Sequence, residues 1–163
     1  MTAPVVAGIV CGTLLVIALA AVAVVRRTRA RRTAVSALRP GWDQWEVRAA
    51  AGMRRNLLAH GHWERGLDPF GGSPLTLAAS PLGVGLWRGG RRARAVVELR
   101  WADVVAVVPA SGAVWGRMVP AVEVRTTSGA HLVLVVPRGS RQQRAELLVA
   151  ELRGLRDGPA PKA

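Results

Sequence analysis

The sequence holds a single cysteine, Cys11, in 163 residues. That excludes an intramolecular disulfide and a cysteine-based zinc site, and it agrees with a domain in the reducing cytosol. Aromatic residues are scarce: no tyrosine, one phenylalanine and six tryptophans. So few on strand-like segments argue against nucleic acid as the partner, although the chain is strongly basic. Histidine is limited to His60, His62 and His131. The H-x-H pair and one distant histidine fall short of a zinc ligand set, so no metal is expected. Neither G-x-S-x-G nor G-x-x-x-x-G-K-[S/T] occurs, and Gly83, Gly85, Gly89 and Gly90 do not open a helix. The carboxylates Glu98, Asp103, Glu123, Glu146 and Glu151 stand singly among arginines and read as solvated faces with local ion pairs. No catalytic residue and no cofactor is expected, and the chain reads as non-enzymatic.

Charge is also missing from the first 25 residues. Residues 4–25, PVVAGIVCGTLLVIALAAVAVV, are apolar throughout and are followed at once by Arg26, Arg27, Arg29, Arg31 and Arg32. As a helix this run is about 30 Å long, the thickness of a hydrocarbon core, and a lone segment in lipid can satisfy its backbone only as a helix. One transmembrane helix is therefore expected. A secretory signal would carry its positive charge before the apolar run and have a shorter one. The small-residue triplets Ala18-Leu19-Ala20 and Ala21-Val22-Ala23 resemble a cleavage site, but charge placement and length favour a retained span. Arginines at its C-terminal end place the N-terminus outside and the rest of the chain in the cytoplasm, at the inner (plasma) membrane. Gly8 and Gly12 form a G-x-x-x-G face that could pair two such helices, in a homodimer or with another membrane subunit.

The net charge is +13, from 22 arginines and one lysine against ten acids. An arginine-rich, lysine-poor balance, with abundant alanine, glycine and valine, fits a GC-rich genome. Nine arginines lie between Arg26 and Arg55 against Asp43 and Glu46. Their first reading is a topology signal; the same charge also suits an anionic leaflet, at about 1 kcal/mol per arginine held near the surface.

Nothing breaks the first helix before Pro40-Gly41, so it is expected to run on into the cytosol. In residues 42–58, Trp45, Ala49, Met53 and Leu57 recur every four positions, which predicts an amphipathic helix weakened by Gly52. Trp42 and Trp45 are expected to pack against the domain that follows. Residues 59–74 read as loop. From Leu75 onward short β-branched runs alternate with turn sequences, among them RGGRRAR and SGAVWGR. Residues 121–136 predict a hairpin turning at Thr127–Ala130, and Val84–Arg88 is expected to pair with Ala95–Arg100 across Gly89–Arg94. Asp103 is expected in a turn between strands. Ser140 and Gln143 form a capping-box pattern before a helix whose stripe is Ala145, Leu148, Leu152 and Leu155.

The strand Leu82–Trp87, the basic turn Gly89–Arg94 and the W-x-D-V segment Trp101–Val104, followed by one terminal helix, resemble the bacterial pleckstrin-homology (PH)-like domains. The resemblance is to the uncharacterised actinobacterial kind fused to one membrane helix, and it covers residues 72–156. It implies an antiparallel β-barrel or sandwich with the C-terminal helix plugging one open end. It also implies that basic residues between the first two strands contact phosphates, here Arg88, Arg91, Arg92 and Arg94, whose guanidinium forks suit such oxygens. Many domains of this fold bind proteins instead.

The expected organisation is thus mainly β with α: a transmembrane helix at 4–25, a basic juxtamembrane linker at 26–71, a PH-like domain at 72–156 and a disordered tail at 157–163. The expected function is a membrane-anchored cytosolic interaction module that docks a protein partner or anionic lipid headgroups of the inner leaflet. The alternative is an accessory subunit of a larger membrane complex, assembled through the span.

Overall fold

The computed structural model describes residues 3–61, 66–137 and 141–158. Helix α1 (Ala3–Leu38) is one unbroken helix of 36 residues, so the expected continuation past Arg26 is observed. It is long and apolar enough to cross a membrane. Residues 9–27 are exposed throughout, and the apolar part of that stretch, residues 9–25, is left uncovered by the other described residues.

The amphipathic helix expected at 42–58 does not form. Strand β1 (Asp43–Ala49) and the short helix α2 (Met53–Ala59) stand in its place. Val47 and Ala49 are buried and Trp45 packs against the same core, an alternation of period two. β1 pairs with β2 from Asp43 to Arg48 and with β7 at Arg48 and Ala49, so its C-terminal end has a strand on each side. Gly52, at φ +83°, separates strand from helix in a left-handed conformation that glycine adopts without steric cost. The sheet therefore begins at Asp43, inside the segment expected to be linker.

The remaining strands are β2 (Pro74–Ser80), β3 (Gly83–Arg88), β4 (Arg94–Arg100), β5 (Val104–Val114), β6 (Arg117–Thr126) and β7 (His131–Val135). All pairings are antiparallel, in the order β4-β3-β2-β1-β7-β6-β5, and the sheet curls into a half-barrel. β1 joins β2 to β7, so the strands form one continuous sheet. Both expected hairpins are present: Val122 faces Leu134 and Val124 faces Leu132, while Leu86 faces Val97 and Arg88 faces Arg94. The segment SGAVWGR is mostly strand, not turn. β5 is an edge strand, where Pro109 needs no ladder donor, so it runs on to Val114 and only Trp115-Gly116 reverses the chain. Trp101–Asp103 forms a 3₁₀ turn between β4 and β5, and the Asp103 carbonyl accepts the Thr127 amide at 2.9 Å.

The concave face holds the core. Leu57, Leu75, Leu77, Leu86, Val122, Val124 and Leu134 are all at most 1% exposed, and each contributes about 1.5–3 kcal/mol by leaving water. Helix α3 (Arg141–Asp157) packs across β5 and β6 and closes this core. Ala145, Leu148 and Leu152 are buried as the stripe predicted, Leu155 packs partly against them, and Val149 joins. Arg153 Nε donates to the Val107 carbonyl at 2.8 Å and ties α3 to β5. Ser140, the expected cap, and residues 159–163 of the tail lie outside the described residues.

Candidate functional site

The last turns of α1 dock on β2 and β3. Val35 is fully buried against Ala78 and Trp87, with Trp42 packed beside them. Four residues earlier on the same face, Arg31 is 2% exposed. Its Nε donates to Thr76 Oγ1 at 2.8 Å and its guanidinium donates to the Pro74 carbonyl at 3.2 Å. A charge this buried is tolerated because it is hydrogen-bonded. Arg39, at the end of the helix, pairs with Glu98 on β4 and lies near the rings of Trp42 and Trp87. Trp42 and Trp45 thus pack on the domain, as expected.

These contacts fix the direction of α1. Arg31 meets residues 74 and 76, and Val35 meets residue 78, so the helix runs alongside β2 in the same sense. Its apolar part therefore projects past the Pro74 end of the sheet. Gathered at that end are the β3–β4 loop, the segment Phe70–Ser73, the end of β1 and the β5–β6 turn. Hydrogen bonds lace them together: Gly72 N to Ala49 O (2.8 Å), Ala51 N to Ala113 O (2.7 Å) and Trp115 N to Phe70 O (3.1 Å). Gly90 sits against the Arg27 side chain, with a Cβ position 3.4 Å from Arg27 Cγ.

Two clefts flank the helix there. The first, of about 480 Å³, collects Arg27 and Arg31 from α1 and Arg88, Arg92 and Arg94 from the β3–β4 hairpin. Among the described residues no acidic side chain lines it. Its other polar side chain, Ser73, accepts the Asp68 amide at 2.7 Å. The second, of about 650 Å³, lies between the end of the apolar stretch (Val24, Val25) and the β5–β6 turn (Trp115), with Arg29, Arg32, Arg48 and Arg117 around it. Arg31, Pro74 and Leu75 line both clefts and form the wall between them.

Two arginine clusters far apart in sequence thus become one site. Of the residues singled out from the sequence, Arg27, Arg31, Arg88, Arg92 and Arg94 converge on the first cleft, and Arg29 and Arg32 face the second. Arg26 and Arg91 are exposed and line neither. The arginine loop joins β3 to β4, with β1 and β2 preceding it, so in this chain it is not the loop between the first two strands. Thr76, Arg48, Arg117 and Trp115 were not foreseen. The first cleft thus gathers guanidinium groups, whose forked donors suit anionic oxygens, above a partly apolar floor at Leu67 and Leu75.

The other candidates are separate. Among the described residues no atom beyond its own helix neighbours lies within 4 Å of the Gly12 Cβ position; the surroundings of Gly8 lie outside the described residues. His60 Nδ1 bonds the Asn56 carbonyl (2.8 Å), His131 Nδ1 bonds Glu123 Oε1 (2.6 Å), and His62 lies outside the described residues. Among the described residues no group of three metal-ligating side chains occurs. Glu123 also accepts from Arg125 at 2.9 Å; that bond above all holds its carboxyl below the usual range, against burial, which pushes it up, and the bond to His131 adds a lesser lowering. No protein-family model matches this chain, and comparison with curated proteins finds no significant relative.

Proposed function

We propose that the chain is a non-catalytic, single-pass membrane protein of PH-like architecture that binds anionic lipid headgroups at the cytoplasmic face of the plasma membrane. The observation that carries this is the convergence of Arg27 and Arg31 with Arg88, Arg92 and Arg94 on one cleft, within two turns of the end of an exposed apolar helix. An uncovered apolar helix needs lipid or protein around it, and arginines at its C-terminal end orient it with the sheet domain in the cytoplasm. The PH-like reading is supported by the curled seven-stranded antiparallel sheet and the terminal helix over its core. Headgroup phosphates would take the guanidinium forks, and the tether keeps the cleft in permanent contact with the leaflet.

The test uses the full chain in a neutral detergent, with native mass spectrometry counting retained lipids. Phosphatidylglycerol is expected to be retained over phosphatidylcholine. Changing Arg27, Arg92 and Arg94 together to Gln is expected to weaken that retention about a hundredfold, at about 1 kcal/mol per arginine. Equal retention of both lipids at low salt overturns the reading and directs attention to a protein partner.

A further inference from the structure

The second cleft ends in a feature that headgroup binding does not use. The β5–β6 reversal is a two-residue turn between the paired residues Val114 and Arg117. Both its residues have positive φ, Trp115 at 49° and Gly116 at 77°. Such a turn favours Asn, Asp or Gly at its first position, and a bulky residue there is a steric outlier. Turn chemistry thus does not account for tryptophan, and neither does the core, because Trp115 is 65% exposed. Its neighbours are equally uncovered: Met118 is 67% exposed, and Phe70, whose carbonyl accepts the Trp115 amide, is 72% exposed. Of the four most exposed large apolar side chains outside α1 among the described residues, these are three.

The position of the cluster identifies what covers it. Trp115 shares its cleft with Val24 and Val25, the last residues of the apolar stretch. The tip therefore stands level with the point where α1 would leave the hydrocarbon. Arg29, Arg32, Arg48 and Arg117 line the same cleft, and the Arg48 guanidinium lies 5.5 Å from the centre of the Trp115 ring. Exposed Trp and Phe backed by arginines, level with the end of a span, is the side-chain order of a membrane interface: rings at the headgroup–acyl boundary, guanidinium groups on the phosphates. The tip is also rigidly placed. Gly72, at φ +93°, lets the Trp115 ring approach to where a Cβ would stand 2.8 Å from it.

We infer that the β5–β6 tip, with Phe70, is a second membrane contact: a wedge that inserts Trp115, Met118 and Phe70 into the headgroup–acyl boundary of the leaflet from which α1 emerges. This rests on α1 crossing the bilayer but not on the arginine cleft preferring anionic lipid. Two attachments, span and wedge, fix the tilt of the sheet domain and seat the first cleft against the headgroups.

The experiment places the full chain in nanodiscs of uncharged phosphatidylcholine, with and without bromine on the acyl chains. The emission that distinguishes the native chain from W115F is expected to be quenched by the brominated lipid. A nitroxide on Met118→Cys, in a Cys11→Ser background, gives an independent reading: greater accessibility to oxygen than to a polar nickel chelate. It decides the matter if W115F does not fold. A nitroxide on native Cys11 reports the span in the same discs. Trp115 unquenched and position 118 open to the chelate, while Cys11 is shielded, overturns the wedge. Cys11 open to the chelate overturns the membrane anchor itself. Because the lipid is uncharged, loss of anionic preference leaves the result unaffected.

Discussion

Arg31 on α1 and Thr76 on β2 form a buried hydrogen bond, Nε to Oγ1 at 2.8 Å, between an arginine of the juxtamembrane cluster and the middle of the sheet. Thr76 is fully buried and Arg31 nearly so. The arginine that reads in sequence as a topology signal is thus also the pin between helix and domain. Thr76→Val keeps the shape and removes the acceptor, leaving a charged donor short of a partner. The expected loss is about 1–3 kcal/mol, read as a lower denaturation midpoint of the full chain in detergent, with Thr76→Ser largely restoring it. A midpoint unchanged by Thr76→Val would show that the Pro74 carbonyl alone suffices.

Acid should weaken the β6–β7 hairpin through Glu123. Its pKa in the folded chain is depressed, chiefly by the Arg125 hydrogen bond. The stabilisation is therefore full above the ordinary glutamate value, about 4.3, and is lost as pH falls through the lower folded value. Glu123→Gln should unfold more readily than the native chain near neutral pH, by a small margin because Arg125 is exposed and the pair is screened by solvent. The two midpoints should converge as pH falls from the ordinary glutamate value through the depressed folded one. A constant gap across that range would show that the carboxylate charge is not what stabilises the hairpin.

Gly72→Ala should disturb the β5–β6 tip through the Trp115 indole. A Cβ there meets the Trp115 ring at 2.8 Å, and φ +93° is itself unfavourable for alanine. The expected cost is about 1–3 kcal/mol, together with a shift in tryptophan emission that is absent when the same change is made in W115F.

Leu152→Ala tests the seat of α3. Leu152 is fully buried among residues of the sheet and α3. Truncation should cost about 2–5 kcal/mol, measured by denaturant unfolding. A smaller loss would show that α3 packs loosely on the core.

Much of this fold could be read from the chain. The 121–136 hairpin was legible because Val122 and Val124 alternate with Glu123 and Arg125 and the turn residues Thr127–Ala130 are small. The stripe of α3 was legible because its four members follow one another at 3-4-3 spacing in a charged background. The segment 42–58 misled for a physical reason: positions four apart coincide in a helix and also lie on one face of a strand. Trp45 and Ala49 fit either period, and Val47 between them, buried beside β2 and β7, was the overlooked sign of a strand. The site itself was legible only in pieces. Nothing local says that Arg27 approaches Gly90 or that Arg31 turns inward, since both depend on which side of β2 the helix lies. Trp115 was hidden inside a segment read as a loop, because the tolerance of an edge strand for Pro109 depends on the order of strands in the finished sheet.

The unbroken course of α1 from its apolar turns to the buried Arg31 makes the helix a shaft. A flexible linker would let the sheet tumble whatever the segment in the membrane did. Here a neighbour that turned the apolar turns about their axis would turn β2 by the same angle, since helix and strand are pinned together by Arg31 and Val35. Each helical residue spans 100° of that axis, so even a one-residue change in the packing register of the apolar turns would swing the arginine loop and the Trp115 tip through a wide arc. The same pinning that orients the domain thus couples it mechanically to whatever surrounds the helix.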